Sequence, residues 1–188
     1  MRLSQPRIAP LDLDRLDDDQ RGALAPMLAG GRVLNIFRTL AHAPKALSRF
    51  LEWGGYILSK RNSLPERERE IAILRVGFNC GSGYEWTQHR EIGLRAGLSD
   101  AEILAIKQGP EEPAWSAIDR AILTACDELT RDFFVSDDTW AALAPLGDKG
   151  RMDLVMTVGQ YTQVSIMLNS FGVQLDEGQA LDPDLDRR

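Results

Sequence analysis

The sequence has few cysteines, few histidines and no long apolar run. Its 188 residues include two cysteines, Cys80 and Cys126, and two histidines. Two distant cysteines are too few for a disulfide framework or a structural zinc site. No apolar run approaches the ~20 residues that span a bilayer, and the N-terminal residues lack the apolar core of a signal peptide. We therefore predict a cytoplasmic protein with no membrane partner and no metal site.

Basic residues are outnumbered by acidic ones. The chain has 22 Lys and Arg against 28 Asp and Glu, which gives a formal net charge of −6 and a pI of about 5.0. An acidic surface argues against nucleic acid or an anionic membrane as the main partner, because both are negatively charged. A binding site is governed by local charge, so a small-molecule substrate remains the expected partner.

Strand signals are nearly absent, since no alternating Val, Ile and Thr run lies between turns. Helix caps, prolines at helix starts and apolar periods recur instead, and Ser99-Asp-Ala-Glu102 is predicted to be a capping box. They predict an all-α fold of about eight to nine helices in one domain over residues 1–188, after an extended segment at 1–16. The predicted helices cover residues 17–28, 33–40, 43–60, 65–78, 82–97, 99–108, 115–129, 136–143 and 152–171. We also predict a turn at 147–150 and a frayed polar tail from Gln174.

The helix that opens at Ser82 carries the most chemistry. Glu85 and His89 lie one turn apart on one face, so the carboxylate can hydrogen bond to the imidazole and form an acid/base pair. Cys80 precedes this helix, where the helix dipole favours a thiolate. A structural interpretation stands beside this one. Ser82 and Glu85 also match a capping box, and Cys80 could be a small buried side chain.

The candidates for substrate binding are Ser82, Tyr84, Trp86 and Arg75. Tyr84 and Trp86 flank Glu85 and could line a pocket, although burial in the core would explain them equally well. Arg75 could bind a substrate carboxylate, or it could belong to a solvated helix face with glutamate partners. Cys126 shares an apolar face with Ile122 and is predicted to be buried.

Three segments resemble the carboxymuconolactone decarboxylase family, which includes the alkyl hydroperoxidase D proteins. They are Leu64-Pro-Glu-Arg-Glu-Arg-Glu70, Tyr84-Glu-Trp-Thr-Gln-His89 and Gly97-Leu-Ser-Asp-Ala-Glu-Ile103. The resemblance covers about residues 43–108 and leaves a helical N-terminal extension of roughly 40 residues. It implies an alkyl hydroperoxidase D-like bundle with an antiparallel helix pair around the motif. It also implies a homo-oligomer, often a trimer or hexamer, with a dimer as the alternative, and helices 43–60 and 152–173 would suit the interface.

The resemblance assigns roles to individual residues. The family's relay glutamate corresponds to Glu70 and its histidine to His89. The two positions of the alkyl hydroperoxidase D Cys-x-x-Cys motif hold Ser82 and Glu85 here, so a dithiol cycle is not available from these residues. In the decarboxylase branch a glutamate and a histidine replace the dithiol, as they do here.

These observations favour a cofactor-free acid/base lyase, decarboxylase or isomerase that acts on a small carboxylated or carbonyl compound from aromatic catabolism. His89 would be the general acid or base, Glu85 its partner, and Glu70 the second carboxylate. Tyr84 could donate a hydrogen bond to a developing enolate. The alternatives are a one-cysteine hydroperoxidase that uses Cys80 with an external thiol, and a non-catalytic oligomeric binding protein.

Overall fold

The computed structural model describes residues 1–186, and this part of the chain contains nine α-helices and no strand. The predicted all-α fold is therefore confirmed. The helices are α1 (Asp18–Ala29), α2 (Asn35–Leu40), α3 (Pro44–Ile57), α4 (Glu66–Asn79), α5 (Gly83–Arg95), α6 (Asp100–Gln108), α7 (Ala117–Arg131), α8 (Asp137–Ala142) and α9 (Gly147–Phe171). Short 3₁₀ turns occur at Leu13–Arg15, Ala144–Leu146 and Pro183–Leu185.

Helix α4 lies at the centre of the bundle and packs against α5, α7 and α9. Its first turn is charged, and every residue from Arg69 to Gly77 is buried. A helix that is buried on all sides needs apolar residues on all sides. The run Ile71-Ala-Ile-Leu74 meets this requirement, so α4 forms the axis of the main core. Arg69, Glu70 and Arg75 are the charged side chains that this helix carries into the interior.

Helices α4 and α5 form a tight antiparallel hairpin. Gly81, at φ +60°, takes the left-handed conformation that glycine adopts without steric cost, and the Ser82 amide donates to the Gly77 carbonyl at 2.8 Å. Helices α4 and α5 also pack closely at the end of the hairpin that lies away from this turn. A methyl group at Gly93 would lie 3.0 Å from Leu98 Cδ1 and 3.7 Å from Glu70 Cβ. This close packing holds α5 directly against the face of α4 that carries Glu70.

The N-terminal helices form a second, smaller core. Leu24, Ala41 and Leu47 are its buried residues, contributed by α1, the end of α2 and α3. Phe37 and Phe50 pack against both this cluster and the main core, so the two cores are continuous. The extended segment before α1 lies along the body of the protein, where the Arg7 amide donates to the Phe171 carbonyl at 2.8 Å.

Two sequence predictions about the C-terminal half are wrong. Residues 147–150 are the first turn of α9 rather than a separate turn, and Gly150 is buried there near Ser63. The tail from Gln174 is not frayed in its described part. Asp176 accepts hydrogen bonds from α2 and α5, and Leu185 is fully buried. Its polar side chains have partners that lie far away in the sequence.

The predicted capping box at Ser99 is confirmed. The Ser99 hydroxyl accepts from the Glu102 amide, and the Glu102 carboxylate accepts from the Ser99 amide at 2.8 Å. This cap fixes the start of α6 and the turn that follows α5. None of the helices described is both long enough and apolar enough to cross a membrane.

Candidate active site

Three ionisable side chains meet inside the α4–α5 hairpin. His89 Nδ1 lies 2.7 Å from Glu70 Oε2, and His89 Nε2 lies 3.2 Å from Glu85 Oε1. Glu70 and Glu85 are almost fully buried, and His89 keeps only 7% of its surface exposed. The imidazole therefore bridges two buried carboxylates through its two nitrogens. We call these three residues the relay.

The hairpin explains how the relay forms. Glu85 and His89 are one turn apart on α5, and Glu70 lies opposite them on α4. The close approach at Gly93 brings Glu70 within hydrogen-bonding distance of the imidazole. At the other end, a methyl group at Gly77 would lie 3.4 Å from Glu85 Cγ, so α4 also confines the Glu85 side chain. The close packing of the two helices at Gly93 thus allows the relay to form.

The capping interpretation of Ser82 and Glu85 is wrong. Ser82 is the N-cap residue of α5 by position, but its side chain makes no capping hydrogen bond. Its hydroxyl is buried and has no hydrogen-bond partner among the described residues. The Glu85 carboxylate reaches the next turn of α5, where it meets His89, instead of turning back to the cap. Glu85 is therefore available for the relay.

One side of the relay faces a cavity of about 350 Å³, near the lower end of the 300–1,000 Å³ range of small-molecule sites. His89 and Glu85 line its polar end, together with Tyr84, Gln88, Gln160 and Tyr161. The remaining wall is apolar apart from two glycines, and is contributed by α2, α3, α5, α9 and the residues beside them. It consists of Leu34, Ile36, Phe37, Phe50, Leu51, Gly54, Gly55, Leu58, Ile92 and Val164.

Burial and mutual charge shift the proton affinities of the relay. Burial raises the pKa of Glu85 from 4.5 to about 7; the His89 charge opposes this shift and the Glu70 charge adds to it. Burial alone would lower the pKa of His89, but the two neighbouring carboxylates outweigh it and raise that pKa above 6.5. Near neutral pH, the Glu85 carboxyl and the imidazole therefore compete for the same proton. This is the condition for a general acid/base pair.

Two tyrosines complete the polar end. The Tyr161 ring meets the His89 imidazole edge-on, with ring centroids 4.9 Å apart, and burial together with the charges of Glu85 and Glu70 raises its pKa well above 10. The Tyr84 hydroxyl donates to Asp176 Oδ2 at 2.6 Å. Burial and this carboxylate raise the pKa of Tyr84 as well. Both phenols therefore stay protonated at neutral pH.

The sequence did not point to several of these residues. Gln160 and Tyr161 lie within the long apolar helix α9, where nothing in their spacing distinguishes them from core residues. Gln88 and Asp176 are linked by a hydrogen bond of 2.8 Å across 88 residues. Such a pair carries no local signal, although the one-turn spacing of Tyr84 and Gln88 places these two side chains on one face of α5.

Comparison with known proteins finds one matching family model. Residues 44–126, which begin with α3 and end within α7, match the carboxymuconolactone decarboxylase family model. The match covers 83 of the 188 residues, so this central part of the chain is similar to the family. Glu70 and His89, to which the resemblance assigned the relay glutamate and the histidine of the family, both lie within the matched residues. Among proteins of curated function, none matches the chain.

Solved structures agree on the fold. A peroxidase-related protein from Silicibacter sp. TM1040 is similar with a TM-score of 0.78 and 16% identity, over 93% of this chain and 95% of that one. A peroxidase-related alkylhydroperoxidase AhpD core from Ralstonia eutropha JMP134 is similar with a TM-score of 0.69 and 20% identity, over 92% of this chain and 93% of that one. A cysteine-to-alanine variant of the debrominase Bmp8, in complex with 2,3,4-tribromopyrrole, is similar with a TM-score of 0.73 and 13% identity. The match covers 93% of this chain and 94% of that one. At these identities the likeness concerns the fold alone.

Four candidate residues outside the relay do not line its cavity, namely Ser82, Cys80, Arg75 and Trp86. Cys80 lines a different cavity, with Arg2, Arg7 and Asn169 among its neighbours. Arg75 is held by Asp127, with its Nε 2.6 Å from Oδ1, and it also donates to the carbonyls at the end of α6.

Trp86 is fully buried against Phe78 and lies under the Lys107 ammonium. The side chain that follows Glu85 therefore packs in the core and does not reach the relay cavity. Cys126 is buried as predicted, and burial raises the pKa of its thiol. Over residues 1–186, no group of three or more His, Cys, Asp or Glu side chains has an arrangement that could hold a metal ion.

Proposed function

We propose that this protein is a cofactor-free acid/base enzyme of the carboxymuconolactone decarboxylase family, acting on a small carbonyl compound from aromatic catabolism. The observation that carries the proposal is the relay itself, which opens into an apolar cavity through Glu85 and His89. Buried ionisable groups are costly to the fold, so their concentration at a cavity favours a functional role. The same observation disfavours a non-catalytic binding protein, because that hypothesis treats Ser82 and Glu85 only as helix-capping residues.

The geometry suggests different roles for Glu70 and for the Glu85–His89 pair. Glu70 accepts the Nδ1–H of His89, which fixes the tautomer and leaves Nε2 facing Glu85. The unprotonated member of the Glu85–His89 pair removes a proton from a carbon beside the substrate carbonyl. The C–H electrons move into an enolate, and a hydrogen bond from the protonated member of the pair, or from the Tyr161 hydroxyl, stabilises its oxygen. The Tyr84 hydroxyl, which the sequence suggested for this role, already donates to Asp176.

The fate of the enolate distinguishes the reactions that this site supports. Return of the proton at another carbon completes an isomerisation. In a decarboxylation, the electrons of the breaking C–CO₂ bond form the same enolate, which then takes one proton from the pair. The isomerisation needs one proton acceptor and one proton donor, and the decarboxylation needs only the donor. Neither reaction involves a redox change, which matches the relay.

Solvent deuterium exchange tests this proposal. Carboxymuconolactone and a panel of cyclic ketones and lactones are incubated in D₂O with the protein, and NMR follows loss of the α-proton signal and of the carboxyl carbon. We expect exchange or decarboxylation for at least one compound, and its loss in His89→Gln but not in His42→Gln, which changes the exposed histidine. Equal rates with and without protein across the panel would contradict the proposal.

A second candidate is a one-cysteine hydroperoxidase that uses Cys80. One observation favours it, because Arg2 and Arg7 line the same cavity as this half-buried thiol and would favour a thiolate. The cycle would reduce a hydroperoxide to an alcohol and water while two external thiols become a disulfide. Consumption of cumene hydroperoxide with dithiothreitol that is lost in Cys80→Ser would establish this candidate. Turnover unchanged in Cys80→Ser would exclude it.

We further propose that the protein is a homo-oligomer in the cytoplasm, as its family resemblance implied. Exposed apolar side chains on the two helices that the sequence assigned to an interface support the oligomer. Trp53 lies on α3, and Met152 and Ile166 lie on α9. Sedimentation velocity would give the number of subunits, and a monomer at all concentrations would contradict this part of the proposal.

A further inference from the structure

The charges around the relay cavity are unbalanced. Its polar end holds one imidazole between two carboxylates, and Glu70 Oε1 has no hydrogen-bond partner within residues 1–186. None of the residues that line the cavity is a lysine or an arginine in the described part of the chain. A ligand carboxylate would therefore meet two carboxylates and a single positive charge that both already share.

The cation nearest to the relay does not change this balance. Arg69 is buried beside His89 and its charge acts on that imidazole, but it donates to the Ser59 carbonyl at 3.4 Å and does not line the cavity. The arginine that the sequence suggested for a substrate carboxylate is also occupied elsewhere. Arg75 is paired with Asp127.

The wall has space and one polar group for a ligand that is not charged. Gly54 and Gly55 lie in the last turn of α3, and a methyl group at either position would meet no atom within 4 Å. Gln160 is 5% exposed and lines the cavity, and its buried Oε1 has no hydrogen-bond partner among the described residues. A buried amide oxygen without a partner is costly, so a ligand that donates one hydrogen bond to it would be favoured.

We propose that the relay cavity selects an uncharged small molecule that has an apolar body and one weakly acidic O–H or C–H group, and that it discriminates against carboxylates. The inference rests on the proposed acid/base function and narrows its substrate class to neutral carbonyl compounds. It therefore favours the isomerisation over the decarboxylation, because a substrate for decarboxylation must carry a carboxylate. The apolar wall binds the body, Gln160 accepts a hydrogen bond from it, and the acidic group meets Glu85 and His89.

A matched pair of phenols tests the selectivity. p-Cresol and 4-hydroxybenzoate share one ring and one hydroxyl and differ by a methyl group against a carboxylate. Isothermal titration calorimetry at neutral pH should give a dissociation constant for p-cresol at least about tenfold lower than that for 4-hydroxybenzoate. Equal or tighter binding of 4-hydroxybenzoate would overturn the inference, and so would the absence of p-cresol binding at millimolar concentration.

A charge added to the wall provides the converse test. Leu58 lines the cavity and is 45% exposed, so Leu58→Lys can carry an ammonium group at its edge without burying it completely. We expect this variant to bind 4-hydroxybenzoate about tenfold more tightly than the parent protein and p-cresol no more tightly. Leu104→Lys is the matched control, because Leu104 is exposed on α6 away from the cavity.

If circular dichroism shows that Leu58→Lys is unfolded, Leu51→Lys repeats the test at the same wall. A folded wall variant whose affinity for 4-hydroxybenzoate does not rise would overturn the inference.

The binding results separate this inference from the proposed function. Deuterium exchange in a carbonyl compound together with tighter binding of 4-hydroxybenzoate would leave the acid/base function standing and overturn the neutral-ligand inference. Preference for p-cresol without any exchange would support the cavity's selectivity and contradict the chemistry.

Discussion

Two buried carboxylates in this protein have opposite properties. Asp153 on α9 is 1% exposed, and Glu85 on α5 is 3% exposed. Asp153 accepts hydrogen bonds from the Tyr56 hydroxyl, from the amide and hydroxyl of Ser63, and from Lys149. Despite burial, these donors lower the pKa of Asp153 far below its ordinary value. Glu85 has one ionisable neighbour in contact, His89, and its pKa rises to about 7.

The difference shows that burial does not by itself decide the role of a carboxylate. Where several donors satisfy the charge, as at Asp153, the group remains ionised and stabilises the junction between α9 and the segment before α4. Where donors are few, the group keeps an affinity for protons near neutral pH. Only the second arrangement lies at the cavity, so we assign proton transfer to Glu85 and a structural role to Asp153.

The largest effect is expected from the imidazole that connects the two relay carboxylates. His89→Gln keeps side-chain hydrogen-bonding capacity between Glu70 and Glu85 but cannot exchange a proton near neutral pH. We expect the rate of deuterium exchange, or of decarboxylation, to fall by ~10²–10⁴-fold. His42→Gln should leave the rate unchanged, because His42 is exposed and contacts the Ala9 carbonyl. A loss below tenfold in folded His89→Gln would contradict a catalytic role.

The next largest effect concerns Asp153. Asp153→Ala leaves the Ser63 amide and hydroxyl and the Tyr56 hydroxyl without their acceptor, so we expect the free energy of unfolding to fall by about 2–4 kcal/mol. Urea denaturation measures the change. Asp148→Ala on the same helix is the control, because the Asp148 side chain is almost fully exposed and should change stability by less than ~0.5 kcal/mol. Equal effects at the two positions would show that the Asp153 hydrogen bonds are not stabilising.

A smaller effect with a defined sign is expected for the pH dependence of stability. Glu85 has a pKa of 4.5 when unfolded and about 7 when folded, and the pKa of His89 is also raised on folding. The folded state therefore binds more protons than the unfolded state above about pH 4.5, and stability falls as pH rises towards 7 and above. Glu85→Gln should flatten this decline between about pH 5 and pH 8.

Thermal denaturation at several pH values measures that slope. Glu91→Gln is the control, since Glu91 lies on the same helix and its side chain is exposed. A slope in Glu85→Gln that equals the slope in the parent protein and in the control would show that Glu85 does not take up a proton on folding.

The smallest effect concerns the cavity wall. Gly54→Ala adds a methyl group in open space within a helix, so we expect it to stabilise the fold by about 0.4–1 kcal/mol and to weaken p-cresol binding. Gly22→Ala, which adds the same methyl group to α1 in open space, should stabilise the protein without changing ligand affinity. Unchanged p-cresol binding in Gly54→Ala would place the ligand away from this part of the wall.

Sequence reasoning predicted the parts of this structure that depend on local signals. The Ser99 capping box, the break between α4 and α5, and the one-turn spacing of Glu85 and His89 are each contained in a few consecutive residues. The family resemblance supplied Glu70, which lies 19 residues before His89 and 2.7 Å from it. No local pattern identifies that contact, because it depends on how closely the two helices pack.

The wrong predictions share a physical cause. Ser82 and Glu85 have the spacing of a cap, but Glu85 meets His89 instead, one turn further along α5. The C-terminal tail is polar enough to look frayed, yet Asp176 bonds to Tyr84 and Gln88 on α5. In each case a tertiary contact determined the conformation, and composition and spacing did not reveal it.

The central claim is that Glu85 and His89 share a proton near neutral pH, and NMR titration of the His89 imidazole tests it most directly. ¹⁵N-labelled protein is titrated while the ring nitrogens of His89 are followed, with His42→Gln used to assign the two histidines. We expect a pKa above 6.5 for His89 in the parent protein. In Glu85→Gln we expect a lower His89 pKa, because the neighbouring negative charge is gone. A His89 pKa of 6.5 in both proteins would show that Glu85 and His89 do not share a proton.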